Sequence, residues 1–552
     1  MSSELSHYIA RLTLILFAAS SVAANAPNVA ANLPAVEQLF ADFLDAHGAL
    51  GAIDSGLSAQ IGTHDRAYWS RRESLLSKQL SLEFNNIKDK PNGTVRSRAL
   101  ASMRRSFDEM TAAGSDESAP SGTCSDATST PLADGALRAS LYACFDSLGN
   151  QIEFEGQRLT RVAALQLLQE IPQSARRKTL FLSMLPLFQA INVDNQASSP
   201  YRRLIGTAAA EFAKGRSLIH DAAASLGIDV PEVERWLVRV LESWHAVNGG
   251  DNALIEPWDF RFEYALASRS LAAGIPREAL LPLQQRFYKD LGADPNALGV
   301  IFDIDPRPGK APLAYSDTIR IGRQIRGHWR PAIALVSAND DRGGLGILNE
   351  LVHESGHAVH FMAIRARPAF FWPDTTFIEA FADVTSWSVY TPAWQHRYLG
   401  AAVTRAQGLR EQYAGVMLDV AWSLFELRLL RDSSSDPNAL WTDITRRYLG
   451  INGHPEMSWW AVRSQLVTDP GYMINYGLGA FMTAEVRART VAAIGPFDAG
   501  NPRWYSWTSK QLLSAGGDPE ITTLLRRFLG HAVTPSALIQ DIESIDTGKD
   551  LP

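Results

Sequence analysis

Apolar residues recur at intervals of three and four, with charges between them, through residues 33–46, 67–84, 95–113 and 137–147. That spacing lays an apolar stripe along one side of a helix, so each segment is predicted to be α-helical. The same pattern returns in 161–168, 176–190, 202–226 and 230–246, punctuated by Pro172, Pro200 and Pro231, and no fixed-period repeat is present. One region breaks the pattern. Between residues 299 and 337 the β-rich runs 300–304 and 332–336 flank a Gly/Pro-rich span and read as strands. The expectation is a mainly α chain with one small sheet.

Composition narrows the classes. A chain of 552 residues, 46% hydrophobic and 20% charged, can bury a large core. A net charge of −7 argues against a nucleic-acid partner, because phosphates demand a basic surface. Residues 1–26 differ in kind from the rest: Arg11 precedes the apolar run 12–19, and small residues lead to Ala24-Asn25-Ala26 before Pro27. This is the pattern of a secretory signal peptide, and it predicts a periplasmic or secreted protein. The run is too short to cross a bilayer of about 30 Å, and no later segment reaches that length, so no membrane span is expected in the mature chain. In an oxidising compartment Cys124 and Cys144 can form one bridge closing a loop of about 20 residues; two unrelated thiols are the alternative. No CxxC pair exists, so a cysteine zinc site is excluded.

The chemistry begins at His353-Glu354-Ser355-Gly356-His357. Ile347, Leu348, Leu351, Val352, Val359 and Met362 surround it at helical spacing, which places the motif on a helix. Residues four apart lie one turn apart on the same face, so both imidazoles can reach one ion while Glu354 projects beside them. A single zinc ion held there would acidify a water and polarise a carbonyl, with Glu354 as the general base. A third ligand is needed. A second apolar-patterned helix begins after Pro373 and carries Glu379 between Ile378 and Ala380, where a carboxylate is costly unless paired or metal-bound. Asp383, one turn further, can accept the other ring N–H of a zinc histidine. The alternative for both is an ordinary solvated face.

These residues resemble the gluzincin zinc peptidases, the group containing thimet oligopeptidase, peptidyl dipeptidases and angiotensin-converting enzyme. His-Glu-Ser-Gly-His with His360, Pro257-Trp258-Asp259 and Asp305-Pro306-Arg307-Pro308-Gly309-Lys310 is similar to the oligopeptidases. Residues 377–392, with Glu379, Ala380, Asp383, Ser388 and Thr391, are similar to the corresponding helix of angiotensin-converting enzyme. Tyr476-Gly477-Leu478-Gly479 after Tyr472 resembles the thermostable bacterial carboxypeptidases of the same superfamily. The likeness covers roughly residues 250 to 490. It implies a two-lobed helical shell around a deep channel that admits short peptides, with a signal peptide at 1–26, an N-terminal lobe at 27–250 and a catalytic region at 251–552.

The resemblance also implies that an extended substrate adds to a strand edge, for which residues 332–337 are the candidate, and that a tyrosine donates to the oxyanion, Tyr476 before Tyr472. The family's histidine shortly before the tyrosine pair is missing: Gln465, Val467 and Thr468 stand there, and His454 lies further upstream. Three readings stay open, namely an oligopeptidase, a peptidyl dipeptidase or carboxypeptidase acting at the C-terminus, and a non-catalytic peptide-binding protein. The second needs a cation for the terminal carboxylate, and Arg463, Arg487 and Arg307 are candidates. Nothing in the sequence speaks to oligomeric state.

Overall fold

The protein is described from a computed structural model over residues 33–57, 65–87, 93–114, 134–248, 254–307, 310 and 314–546. The expected signal peptide, and Cys124 of the expected bridge, lie outside the described residues. The elements used below are helices α1 (Leu33–Asp54), α2 (Arg161–Glu170), α3 (Pro257–Tyr264), α4 (Leu345–Ala363), α5 (Thr375–Ser386), α6 (Arg405–Arg431) and α7 (Ile474–Ile494), and strands β1 (Ile301–Asp303), β2 (Tyr315–Arg320) and β3 (Ile333–Ser337).

The chain is mainly α, as the three- and four-residue spacing predicts. A large apolar core runs without interruption from Leu137 to Ile545 and takes in the buried faces of α4, α5, α6 and α7. A smaller one joins Phe40 and Phe43 of α1 to Leu80, Leu100 and Met103, and reaches Phe361 at the end of α4. No described helix is long and apolar enough to cross a membrane.

The sheet differs from expectation in one respect that matters. Its order is β1-β3-β2, with β1 parallel and β2 antiparallel to β3. The segment expected to offer a free edge is therefore the central strand, hydrogen-bonded on both sides. Its second neighbour, β2, hides in the Gly/Pro-rich span because its polar residues Ser316, Asp317 and Thr318 mask the strand pattern. Ser316 instead donates to the backbone carbonyl of Glu354 at 2.6 Å, fastening the sheet to α4.

Helices α4 and α5 cross at very short range. A Cβ placed on Gly356 would lie 2.8 Å from Ala382 Cα, closer than packed atoms tolerate, so only glycine permits this approach. Tyr288 locks the crossing: its buried hydroxyl donates to Val352 O of α4 at 2.7 Å and lies 2.8 Å from Thr385 Oγ1 of α5. From the other side Thr483 of α7 donates to Ala380 O at 2.8 Å. Asp374 caps α5 by accepting from Phe377 N at 3.0 Å, setting where the helix begins. Phe377 and Phe381 are then driven inward, each burial stabilising by roughly 1.5–3 kcal/mol. Glu379 and Asp383 occupy the next stripe round, facing α4.

Candidate active site

The crossing brings three donor atoms together. His353 Nε2 and His357 Nε2 are 3.1 Å apart, and Glu379 Oε2 lies 3.4 Å from the first and 3.7 Å from the second. Each side chain is mostly buried, with 16%, 9% and 12% of its surface exposed. Asp383 Oδ1 is 2.7 Å from His353 Nδ1, and Ser386 donates to the same oxygen at 3.0 Å. An Nδ1–H bonded to Asp383 leaves the Nε2 lone pair pointing into the triangle.

The electrostatics of the two carboxylates diverge. Burial opposes ionisation of Glu379, but the bond to His353, the nearby ring of His357 and the hydroxyl of Tyr472 outweigh it and hold the carboxyl down at about 2. Burial dominates at Glu354, whose carboxyl is pushed up to about 8. For His357, burial together with the charge on His353 lowers the ring to about 4, so it is neutral. For His353, Asp383 and Glu379 outweigh burial and raise it. Two carboxyl groups with opposed environments in one site is the arrangement expected when one serves as a fixed anionic ligand and the other as an exchanger of protons.

Zinc fits this donor set. Bonds of about 2.1 Å at tetrahedral angles require ligand atoms about 3.4 Å apart, and the three observed edges bracket that spacing. Two imidazoles and a carboxylate are a zinc-binding set that leaves a fourth position open. Glu354 Oε2 is buried with no hydrogen-bond partner, an orphan beside the triangle. The donor atoms of His353, Glu354 and His357 lie within 4.8 Å of one another, so Glu354 is near enough to act there without replacing Glu379.

The remaining candidates divide. Tyr472 donates to Glu379 Oε1 at 2.9 Å, so its hydroxyl is committed to that carboxylate. Tyr476, its ring 5.8 Å from that of Tyr472, receives a long 3.4 Å bond from Gln465 and keeps its own proton to give. His360 is buried among Phe361, Phe377 and Phe381, and burial lowers it to about 3; it is a core residue. His454 turns away, bonded to Glu256 and Glu456 at 2.7 Å each. Arg307 is held by Asp303 and Arg487 by Asp498, both at 2.7 Å. Arg463 pairs with Asp419 at 2.7 Å and lies 5.4 Å from the centre of the Tyr476 ring.

Four charged groups around the site escaped the sequence reading: Arg161, Arg261, Glu350 and Asp419. Glu350 had a visible signal, since it precedes His353 and His357 by three and seven residues and so shares their helix face. Arg261 had a weaker one, a lone cation between Phe260 and Phe262.

Solved structures share this architecture nearly end to end. The chain is 15% identical to an M32 carboxypeptidase from Deinococcus radiodurans R1, covering 92% of this chain and 96% of that one, with a TM-score of 0.52. The chain has the gluzincin fold. PZ peptidase A matches 96% of this chain and 98% of its own at 15% identity and a TM-score of 0.55. Metallocarboxypeptidase 1 of Trypanosoma cruzi matches 93% and 99% at 13% identity and a TM-score of 0.51. No protein-family model matches the sequence, and no curated protein does. Within the gluzincin fold, the side chains of α4 and α5 are what can speak for chemistry.

Proposed function

We propose that the protein is a zinc-dependent peptidase that hydrolyses peptide bonds in short peptides, with His353, His357 and Glu379 holding the metal. The observation that carries this reading is the donor triangle, whose edges suit zinc, beside the orphaned carboxylate of Glu354. When bound, zinc supplies a Lewis acid for the scissile carbonyl and acidifies water. Glu354 takes the proton from the attacking water and passes it to the leaving amine. Tyr476 donates a hydrogen bond to the oxyanion, because Tyr472 is engaged with Glu379. Asp383 orients His353, and Tyr472 orients Glu379, so both act through the ligands. The export pattern of residues 1–26 adds a periplasmic or secreted location to the proposal.

The test is the metal content of the purified protein together with cleavage mapping of a mixed peptide library. One zinc per chain and cuts abolished by a chelator are the expected results. A protein that takes up no metal and cuts nothing after zinc is added would instead be a peptide-binding relative without catalysis.

A further inference from the structure

Three guanidinium groups lie deep in the molecule on the Tyr476 side of the site. Arg161 opens α2, Arg261 sits in the middle of α3, and Arg463 follows the short turn Trp459–Val462. Each is surrounded by protein yet keeps accessible surface, a combination that the wall of an internal cleft produces. They are close enough to feel one another's charge: burial and then Arg463 lower both Arg161 and Arg261, each to about 10, so all three stay cationic at neutral pH.

Their partners do not balance them. Arg463 has Asp419 at 2.7 Å. Arg161 and Arg261 have neither a hydrogen bond nor a carboxylate within 4 Å among the described residues; Arg161 rests 5.5 Å above the Phe145 ring instead. The acids nearby are Asp419 and Glu350, and burial pushes the pKa of both upward, which weakens them as counter-ions. Three cations therefore face at most two anions, in surroundings where an unpaired guanidinium is expensive to keep. Such an imbalance persists where a ligand supplies the missing charge. Arginine's planar fork is suited to a carboxylate, which it holds through two parallel bonds.

The cluster adjoins the reacting groups. Arg463 lies 5.4 Å from the Tyr476 ring centre, Glu350 stands one turn before His353 on the same face of α4, and Asp419 feels the charges of Asp383 and Glu379. We propose that Arg161, Arg261 and Arg463 bind the C-terminal carboxylate of a peptide substrate, so that the protein trims peptides from that end. This rests on the peptidase reading above. Of the cations considered from sequence alone, Arg307 and Arg487 are each committed to a carboxylate on their own element or loop and away from this cluster.

The experiment compares matched peptides with a free C-terminal acid, with a C-terminal amide, and with an amide plus an internal Asp or Glu. The zinc-loaded protein is expected to release one or two C-terminal residues from the acids, with kcat/KM for the amides lower by about 100-fold, as for loss of a charge-assisted bidentate contact. Arg161→Met and Arg261→Met should raise KM for the acids by about tenfold or more with a smaller effect on kcat, and bring the acid-to-amide ratio toward one; Arg261→Lys should restore part of it. Zinc content and melting temperature of each variant show whether it is folded, and Arg261→Lys covers the case in which a methionine variant is not. Binding of the same peptides to Glu354→Gln, read by fluorescence anisotropy, should show the acid preference without turnover. Internal cuts with equal rates on acids and amides, unchanged in the arginine variants, would overturn the proposal while leaving the peptidase reading intact. Preference for an internal acidic side chain would overturn it too, by assigning the cluster to a different carboxylate. If the zinc-loaded protein cleaves nothing, the peptidase reading fails, and the anisotropy comparison still decides what the cluster binds.

Discussion

At the scale of single residues, the assignments separate groups that hold the metal from groups that act on substrate. Glu354 projects from the same helix as the two histidines but shares no bond with them, so Glu354→Gln should leave zinc stoichiometry at one per chain while kcat falls by about 10²–10⁴-fold. Metal analysis and turnover on one preparation check this, and retained full activity would remove Glu354 from the mechanism. The two tyrosines should part in a similar way. Tyr476→Phe removes the oxyanion donor and is expected to lower kcat by about 10²–10³-fold with unchanged zinc affinity. Tyr472→Phe cuts the 2.9 Å bond to Glu379 and should appear first in zinc affinity, weakened by about 10–100-fold in a competition titration with a chelator. If the effects are interchanged, so are the roles.

At the scale of elements, the site exists because α4 and α5 touch. Gly356 is not a metal ligand, a base or a turn residue; it is the place where Ala382 of α5 enters the surface of α4. Gly356→Ala should destabilise the fold by about 1–3 kcal/mol through overpacking and, by pushing α5 outward, move Glu379 from the histidines. Denaturant unfolding measures the first effect and zinc affinity the second; an alanine variant with native stability and native zinc binding would show that the crossing has slack. This element is also where sequence and structure can be compared in physical terms. His353, Glu354 and His357 were legible because a four-residue interval on a helix is a geometric statement in itself. Glu379 and Asp383 were legible because a carboxylate inside an apolar run needs a reason to be there. Arg161 and Arg261 were not, since their meaning comes from meeting Arg463 across 302 and 202 residues, and no local pattern records a meeting. The strand at 333–337 was visible as a strand, but its place in the sheet was not, because β2 is polar on the residues that face the helix and so lacks strand periodicity.

At the scale of the whole molecule, the pieces that carry the arginines must be held against the pieces that carry the zinc ligands. The beginning of α3 is tied to the segment after residue 450 by a bridge between Ile255 and Ile451, by Asn452 donating to Glu256 at 2.9 Å, and by His454 between Glu256 and Glu456. That histidine, considered from sequence as a catalytic substitute, is better explained as a charged clasp. Burial disfavours its cation, but the two carboxylates outweigh burial and raise its pKa above the ordinary 6.5. The sign follows. A folded-state pKa above the unfolded one means that the folded form binds the proton more tightly, so the stabilisation is complete below pH 6.5 and disappears as pH rises through the folded value. The melting temperature of the native protein should exceed that of His454→Gln clearly at pH 6, and the gap should close by pH 9. A gap that is constant across this range would mean that His454 contributes through packing against Trp258, whose ring centre is 5.2 Å away, and not through its charge. Since α3 also carries Arg261, loosening the clasp at high pH should raise KM for free-acid peptides before it changes the rate of a saturated reaction.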